Sequence, residues 1–168
     1  SDIDSARRIA GDTEAVLAAQ ASLEYYGHMD YRRALETTRA ALSRYPNDLL
    51  LRELEGLLLR RLGQWENAID VFQELVDREP SNPSYVATLV ELLHAMRRYA
   101  EVISAVEAFE RRAPPDSYVA EVDAWSREAM GRDPEELRRF LDTWRDRLDP
   151  SYSLIVEQTY LRDSGRTE

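Results

Sequence analysis

Cysteine is absent from the 168-residue chain, and so is lysine: all 22 basic residues are arginine. The first absence excludes disulfides, thiolate metal sites and a Cys nucleophile. The second excludes Schiff-base chemistry and a phosphate-loop lysine. Glycine is scarce, and the six present are dispersed, so nothing resembles a glycine-rich phosphate cradle. Histidine occurs twice, and His28 and His94 lie too far apart for a zinc motif of the H-E-x-x-H kind. No G-x-S-x-G elbow is present either. The expectation is a non-enzymatic chain with no cofactor and no metal.

Positive charge is also in short supply. Acids outnumber bases 32 to 22, for a net charge of −10 and a pI near 4.8. That balance argues against a nucleic-acid partner and against an anionic membrane surface. No apolar run approaches the roughly 20 residues of a membrane span, and no signal peptide is visible, so direct membrane insertion is not expected. The arginine-only basic set accords with a GC-rich bacterial genome, and a cysteine-free chain suits cytoplasm or periplasm equally. What the sequence does hold is 43% apolar residues with charges of both signs interspersed, enough for one soluble domain.

The apolar residues keep a beat. Pro46, Pro80 and Pro114 stand 34 residues apart, and Pro150 follows 36 later. Leu35, Ile69, Ile103 and Leu137 form an aliphatic series at the same interval, and Tyr31, Trp65 and Tyr99 an aromatic one. Ala34, Ala68 and Val102 form a small-residue series, as do Ser22, Gly56, Val90 and Ala124. Several columns in one phase mark an internal repeat.

Each unit reads as two amphipathic helices. Leu51, Leu54, Leu58 and Leu62 recur at helical spacing before Gly63, and Trp65, Ile69, Phe72 and Val76 resume the pattern until Pro80. Asn82-Pro83 announces the next helix as a cap followed by a first-turn proline. The spacing predicts helices near 12–27, 30–44, 48–62, 65–78, 82–96, 99–112, 116–130, 134–148 and 151–163. No stretch alternates as a strand does. Acidic residues close to arginines along the chain, such as Glu107 with Arg111 and Glu135 with Arg139, read as solvated helix faces.

This pattern resembles the tetratricopeptide repeat. The second unit carries Gly56, Gly63, Trp65, Ala68, Phe72 and Pro80 at that family's positions. The first matches through Tyr25, Tyr31, Ala34, Ala41 and Pro46, and the third through Tyr99, Val102 and Pro114, with Arg97 in place of the turn glycine. The fourth keeps Gly131, Leu137 and Phe140 but has Glu136 where alanine is usual. The resemblance implies an all-α, right-handed α-solenoid and a single domain over 1–168. Its repeats are expected near 14–47, 48–81, 82–115 and 116–150, with a capping helix near 151–163 that carries Tyr152, Ile155, Val156, Tyr160 and Leu161. The segment from Ser1 to Gly11 is too short for a unit and reads as the tail of an upstream helix, as in an excised piece of a longer array.

The resemblance also implies a function. First helices of such repeats line a concave groove that holds an extended peptide or a partner helix. Carried over, the groove receives Leu50, Glu53, Leu54, Leu57, Arg60 and Arg61 from the second unit, and Ser84, Ala87, Thr88, Glu91 and His94 from the third. The fourth adds Tyr118, Glu121, Val122 and Trp125, and the first Ala19, Leu23 and Tyr26. Each has an alternative reading: the three leucines as core, Tyr118 and Trp125 packed on the capping helix, the two arginines paired with acids. Repeats that grip the carboxyl end of heat-shock chaperones share a Lys- and Asn-based clamp, which this chain lacks. The function implied is a protein–protein interaction scaffold or adaptor for a protein or peptide partner, in a bacterial envelope, pilus, secretion or polysaccharide-export assembly. The alternative is a structural spacer or self-association module, with a homodimer as one form.

Overall fold

Short polar side chains open most of the helices. Thr13, Asp30, Asp48 and Asn82 each accept a hydrogen bond from a first-turn backbone N–H, and Asp116 accepts two, from Tyr118 and Val119 at 3.0 and 3.1 Å. A cap of this kind satisfies donors that the helix itself leaves unpaired. The computed structural model describes residues 13–114 and 116–130, and within them every regular element is a helix. These are α1 (Glu14–Ser22), α2 (Tyr31–Leu42), α3 (Leu49–Arg61), α4 (Trp65–Arg78), α5 (Pro83–Ala95), α6 (Tyr99–Glu110) and α7 (Ser117–Ala129). The boundaries follow the sequence expectation closely. One difference is that α1 ends in a π-turn over Leu23–Gly27, which the apolar spacing did not signal. The helices expected near 134–148 and 151–163 lie outside the described residues.

The chain divides into two compact units, one up to Arg78 and one from Glu79. In the first, α1 packs on α2, α2 on α3 and α3 on α4, while α1 also touches α3. Leu17, Ala41 and Leu51 form a shared cluster from its first three helices. In the second, α5, α6 and α7 all pack on one another. The repeated columns explain the packing in each unit. Ala34, Ala68 and Val102 are wholly buried, and Leu35, Ile69 and Ile103 nearly so. A helical pair this short buries little apolar area alone, so neighbours must supply the rest.

The same beat governs the turns between paired helices. Met29, Gly63 and Arg97 stand 34 residues apart, and all three have a left-handed backbone, with φ of 53°, 75° and 59°. At the second turn Gln64 N–H reaches Leu59 O at 2.9 Å and Gly63 N–H reaches Arg60 O at 3.1 Å. At the third, Arg98 N–H reaches Leu93 O and Arg97 N–H reaches His94 O, both at 2.9 Å. This paired closure of a helix end needs the left-handed residue, which suits glycine and strains a side chain. A Cβ on Gly63 would meet nothing within 4 Å, so any cost of substitution there is backbone strain alone. We therefore expect Gly63→Val to lose about 1–2 kcal/mol, whereas Met29→Gly and Arg97→Gly gain about 0.5–1 kcal/mol each. Urea denaturation checks all three, and equal signs for the loss and the gains would remove the turn as a determinant.

Two acids depart from the solvated-face expectation. Glu24 and Glu55 are buried and paired: Glu24 with Thr37 at 2.8 Å and Arg33 at 3.0 Å on α2, Glu55 with Arg39 on α2 at 2.9 Å and with Arg52, three residues earlier on α3, at 2.7 Å. Arg52 also binds Glu74, which holds Arg78, so the ladder links α2, α3 and α4. Glu107 stays exposed, as on a solvated face, and lies 3.8 Å from Arg127 of α7. Glu135 and Arg139 lie outside the described residues. Helical periodicity shows neighbours along one helix and is blind to partners on the next.

Candidate functional site

In each unit the first helix of a pair carries one face that is left open. On α3 the residues Leu50, Glu53, Leu54, Leu57 and Arg60 recur three or four apart and therefore share a face. Leu50 is 72% exposed, while Leu54, at the edge of the same set, is only 8% exposed. The reading of these leucines as core thus holds for Leu54 and fails for Leu50, with Leu57 half-buried between them. Helix α1 presents Ala19, Leu23 and Tyr26 in the same way, and Tyr26 is 69% exposed. Large apolar side chains left open in this manner mark interaction surfaces when they recur together.

The charged residues expected on this face differ in their surroundings. Arg61 Nε donates to the Tyr25 hydroxyl at 3.3 Å, and Tyr25 is buried between the rings of Tyr26 and Tyr31, 4.5 and 5.5 Å away. Arg60 is half-buried. Burial raises the Glu53 carboxyl above its ordinary range, because desolvation disfavours the ionised form. Met29, 68% exposed in the left-handed turn just beyond Tyr26, belongs beside them and was not singled out from sequence. Its place in the glycine column was the available signal.

In the second unit the corresponding face of α5 is smaller and more polar. Ser84 is exposed, and Ala87, Thr88, Glu91 and His94 are half-buried. His94 Nδ1 lies 2.9 Å from Ser126 Oγ of α7, and its ring meets Tyr99 of α6 with centroids 5.3 Å apart. Desolvation holds its imidazole below the usual histidine value. From α7, Tyr118 is half-buried and Val122 is buried in the core. The side chains of Glu121 and Trp125 lie outside the described ones. Ser126, which positions His94, escaped the sequence reading because nothing in its spacing marks a contact 32 residues away.

Two features test for other chemistry. An open recess of about 250 Å³ in the first unit is lined by Arg32, Leu35, Glu36, Arg39, Leu62 and Gln64, with Arg39 already engaged by Glu55. Among the described residues, no three of the metal-ligating types come together to hold an ion, and no helix is long and apolar enough to cross a membrane.

Paired helices, small-residue columns and left-handed turns at one interval define a helix-turn-helix repeat protein. Residues 54–82 match the tetratricopeptide repeat. Solved structures agree in fold. MamA from Desulfovibrio magneticus RS-1 superposes with a TM-score of 0.66 at 16% identity, over 89% of this chain and 80% of its own. A tetratricopeptide-repeat protein of Thermus thermophilus does so at 0.62 and 17% identity, over 92% and 84%. One from Parabacteroides merdae gives 0.58 at 13% identity, over 98% and 78%. No curated protein matches by sequence. In fold the chain is all-α and similar to tetratricopeptide-repeat proteins, with one repeat matched directly in sequence.

Proposed function

We propose that the chain is a protein–protein interaction scaffold whose first helices hold a partner segment, extended or helical. The observation that carries this is the contrast within one unit: Leu50 and Tyr26 stay about 70% exposed, at 72% and 69%, while Leu51 and Leu58 on the same helix as Leu50 are at 1% and 0%. Exposed apolar anchors on a helix that ends in the arginine pair Arg60 and Arg61 suit a segment with apolar side chains flanked by mixed charge. Ordered helices lower the cost of binding, because only the partner segment must become fixed. The role is one of binding, not catalysis. The organisation proposed is four repeats to residue 150 and a capping helix near 151–163. Bacterial relatives in fold support a bacterial assembly as the setting.

A pair of substitutions tests this. Leu50→Ser with Tyr26→Ala removes the anchors, the second also taking one ring from beside the buried Tyr25, so Leu50→Ser alone is the control for folding; each anchor is expected to contribute about tenfold to affinity. Circular dichroism should be unchanged, and a partner crosslinked to the wild-type face should be lost. If instead the wild type dimerises with concentration in sedimentation velocity and the variant stays monomeric, the face serves self-association and the scaffold reading falls.

A further inference from the structure

Leu50, Glu53 and Leu57 follow one another along α3 at steps of three and four residues, so a carboxylate stands between two leucines on one face. Leu50 is 72% exposed, Glu53 and Leu57 are half-buried, and Leu54 closes the edge of the row at 8%. The neighbouring charges on this helix are engaged elsewhere. Arg52 is held by Glu55 at 2.7 Å and by Glu74, Glu55 also binds Arg39 at 2.9 Å, and Arg61 Nε donates to the Tyr25 hydroxyl at 3.3 Å. Glu53 differs from all of them. Among the described residues it makes no hydrogen bond and no ion pair.

The water around this carboxylate is already reduced. Burial alone acts on the Glu53 carboxyl and raises it, whereas Glu110, also raised by burial, has Asp123, Arg127 and Glu107 acting on it too. A segment seated on Leu50 and Leu57 must cross Glu53 and strip away the water that remains. A carboxylate desolvated with no counter-charge is costly, so an apolar or acidic side chain above it disfavours the complex. A neutral donor supplies a hydrogen bond but leaves the charge unbalanced. A guanidinium or an ammonium supplies both. The net charge of −10 draws a basic segment from a distance as well.

We propose that Glu53 is the specificity-determining residue of the α3 face, and that it takes an arginine or lysine side chain set between apolar side chains of the partner segment. This rests on the interaction-scaffold reading and names the partner chemistry for the first unit. Leu50 and Leu57 take the apolar side chains, and Glu53 takes the basic one between them. The signature is therefore a basic residue with apolar residues on either side along one face of the segment. Those residues alternate if the segment is extended and stand three or four apart if it is helical.

A randomised library of short peptides, selected on the immobilised full chain, tests this. Enriched peptides should carry arginine or lysine between apolar residues and shift α3 amides in NMR spectra. Glu53→Gln, with an unchanged circular dichroism spectrum, should enrich peptides without that basic bias. An enriched arginine peptide remade with citrulline, which keeps the shape and loses the charge, should bind the wild type about tenfold more weakly. On Glu53→Gln the two forms should bind alike, because the coupling is gone. The Glu53 carboxyl ¹³C shift, moved more by the arginine peptide than by its citrulline form, reads the contact without any protein variant. Enrichment with no basic bias, a bias that Glu53→Gln retains, or a citrulline exchange without effect overturns the inference while the scaffold reading stands. If no peptide is enriched over the bare support, or those enriched shift no first-helix face, the scaffold reading falls and this inference with it. A face already filled by a second copy would give that last result, together with a dimer in sedimentation velocity.

Discussion

Phe72→Ala should cost about 3–5 kcal/mol, the range for removing a large aromatic from a packed core. Phe72 has no exposed surface and reaches from α4 to the backbone of α3, where its ring lies over Gly56. The substitution removes apolar area and leaves a cavity bounded by two helices that are each needed by a neighbour. Collapse is hindered because Leu75 and Leu59 of the same two helices, at 0% and 2% exposure, are already packed in the core. Urea denaturation followed by circular dichroism would measure the loss. A cost under about 1 kcal/mol would mean that the helices re-pack freely, contrary to a core assembled across the pair.

The second large effect is the mirror image of the first. A Cβ built on Gly56 would stand 2.6 Å from Phe72 Cε2, and 3.0 Å from both Phe72 Cδ2 and Val71 Cγ1. Helix propensity alone favours alanine over glycine by about 1 kcal/mol, so a neutral or stabilising Gly56→Ala would show that the ring gives way. Gly56→Leu leaves no such latitude and should destabilise by about 3 kcal/mol or more. Combining it with Phe72→Leu, which withdraws the ring edge, should restore part of the loss. Strict additivity of the two changes would refute the close approach, because residues in contact couple and distant ones do not.

Much of this was legible before any coordinates. The columns at Ala34, Ala68 and Val102 announced close helix approach, and all three prove wholly buried. Gly63 was expected to break a helix, and its φ of 75° shows why glycine stands there. Arg97 was seen as a departure from the pattern, yet its backbone follows the pattern with φ of 59°. The chain's hydrogen bonds demand the left-handed turn there whatever the side chain. The π-turn at Leu23–Gly27 was not legible, since an extra residue in one turn leaves the apolar spacing almost unchanged.

The candidate site divides in the same manner. Sequence alone placed Leu50, Leu54 and Leu57 on one face, because helical spacing is a property of the chain. It could not say that Leu50 stays open and Leu54 does not, because burial depends on which neighbour covers the edge of a face. Nor could it pair Glu55 with Arg39, or His94 with Ser126, since these partners come from different helices. The sequence by itself determined the helices, their interval and the small-residue columns, all of which are local and periodic. Only the tertiary structure decided which side chains remain exposed and which acids are buried, because each depends on atoms brought together from distant parts of the chain.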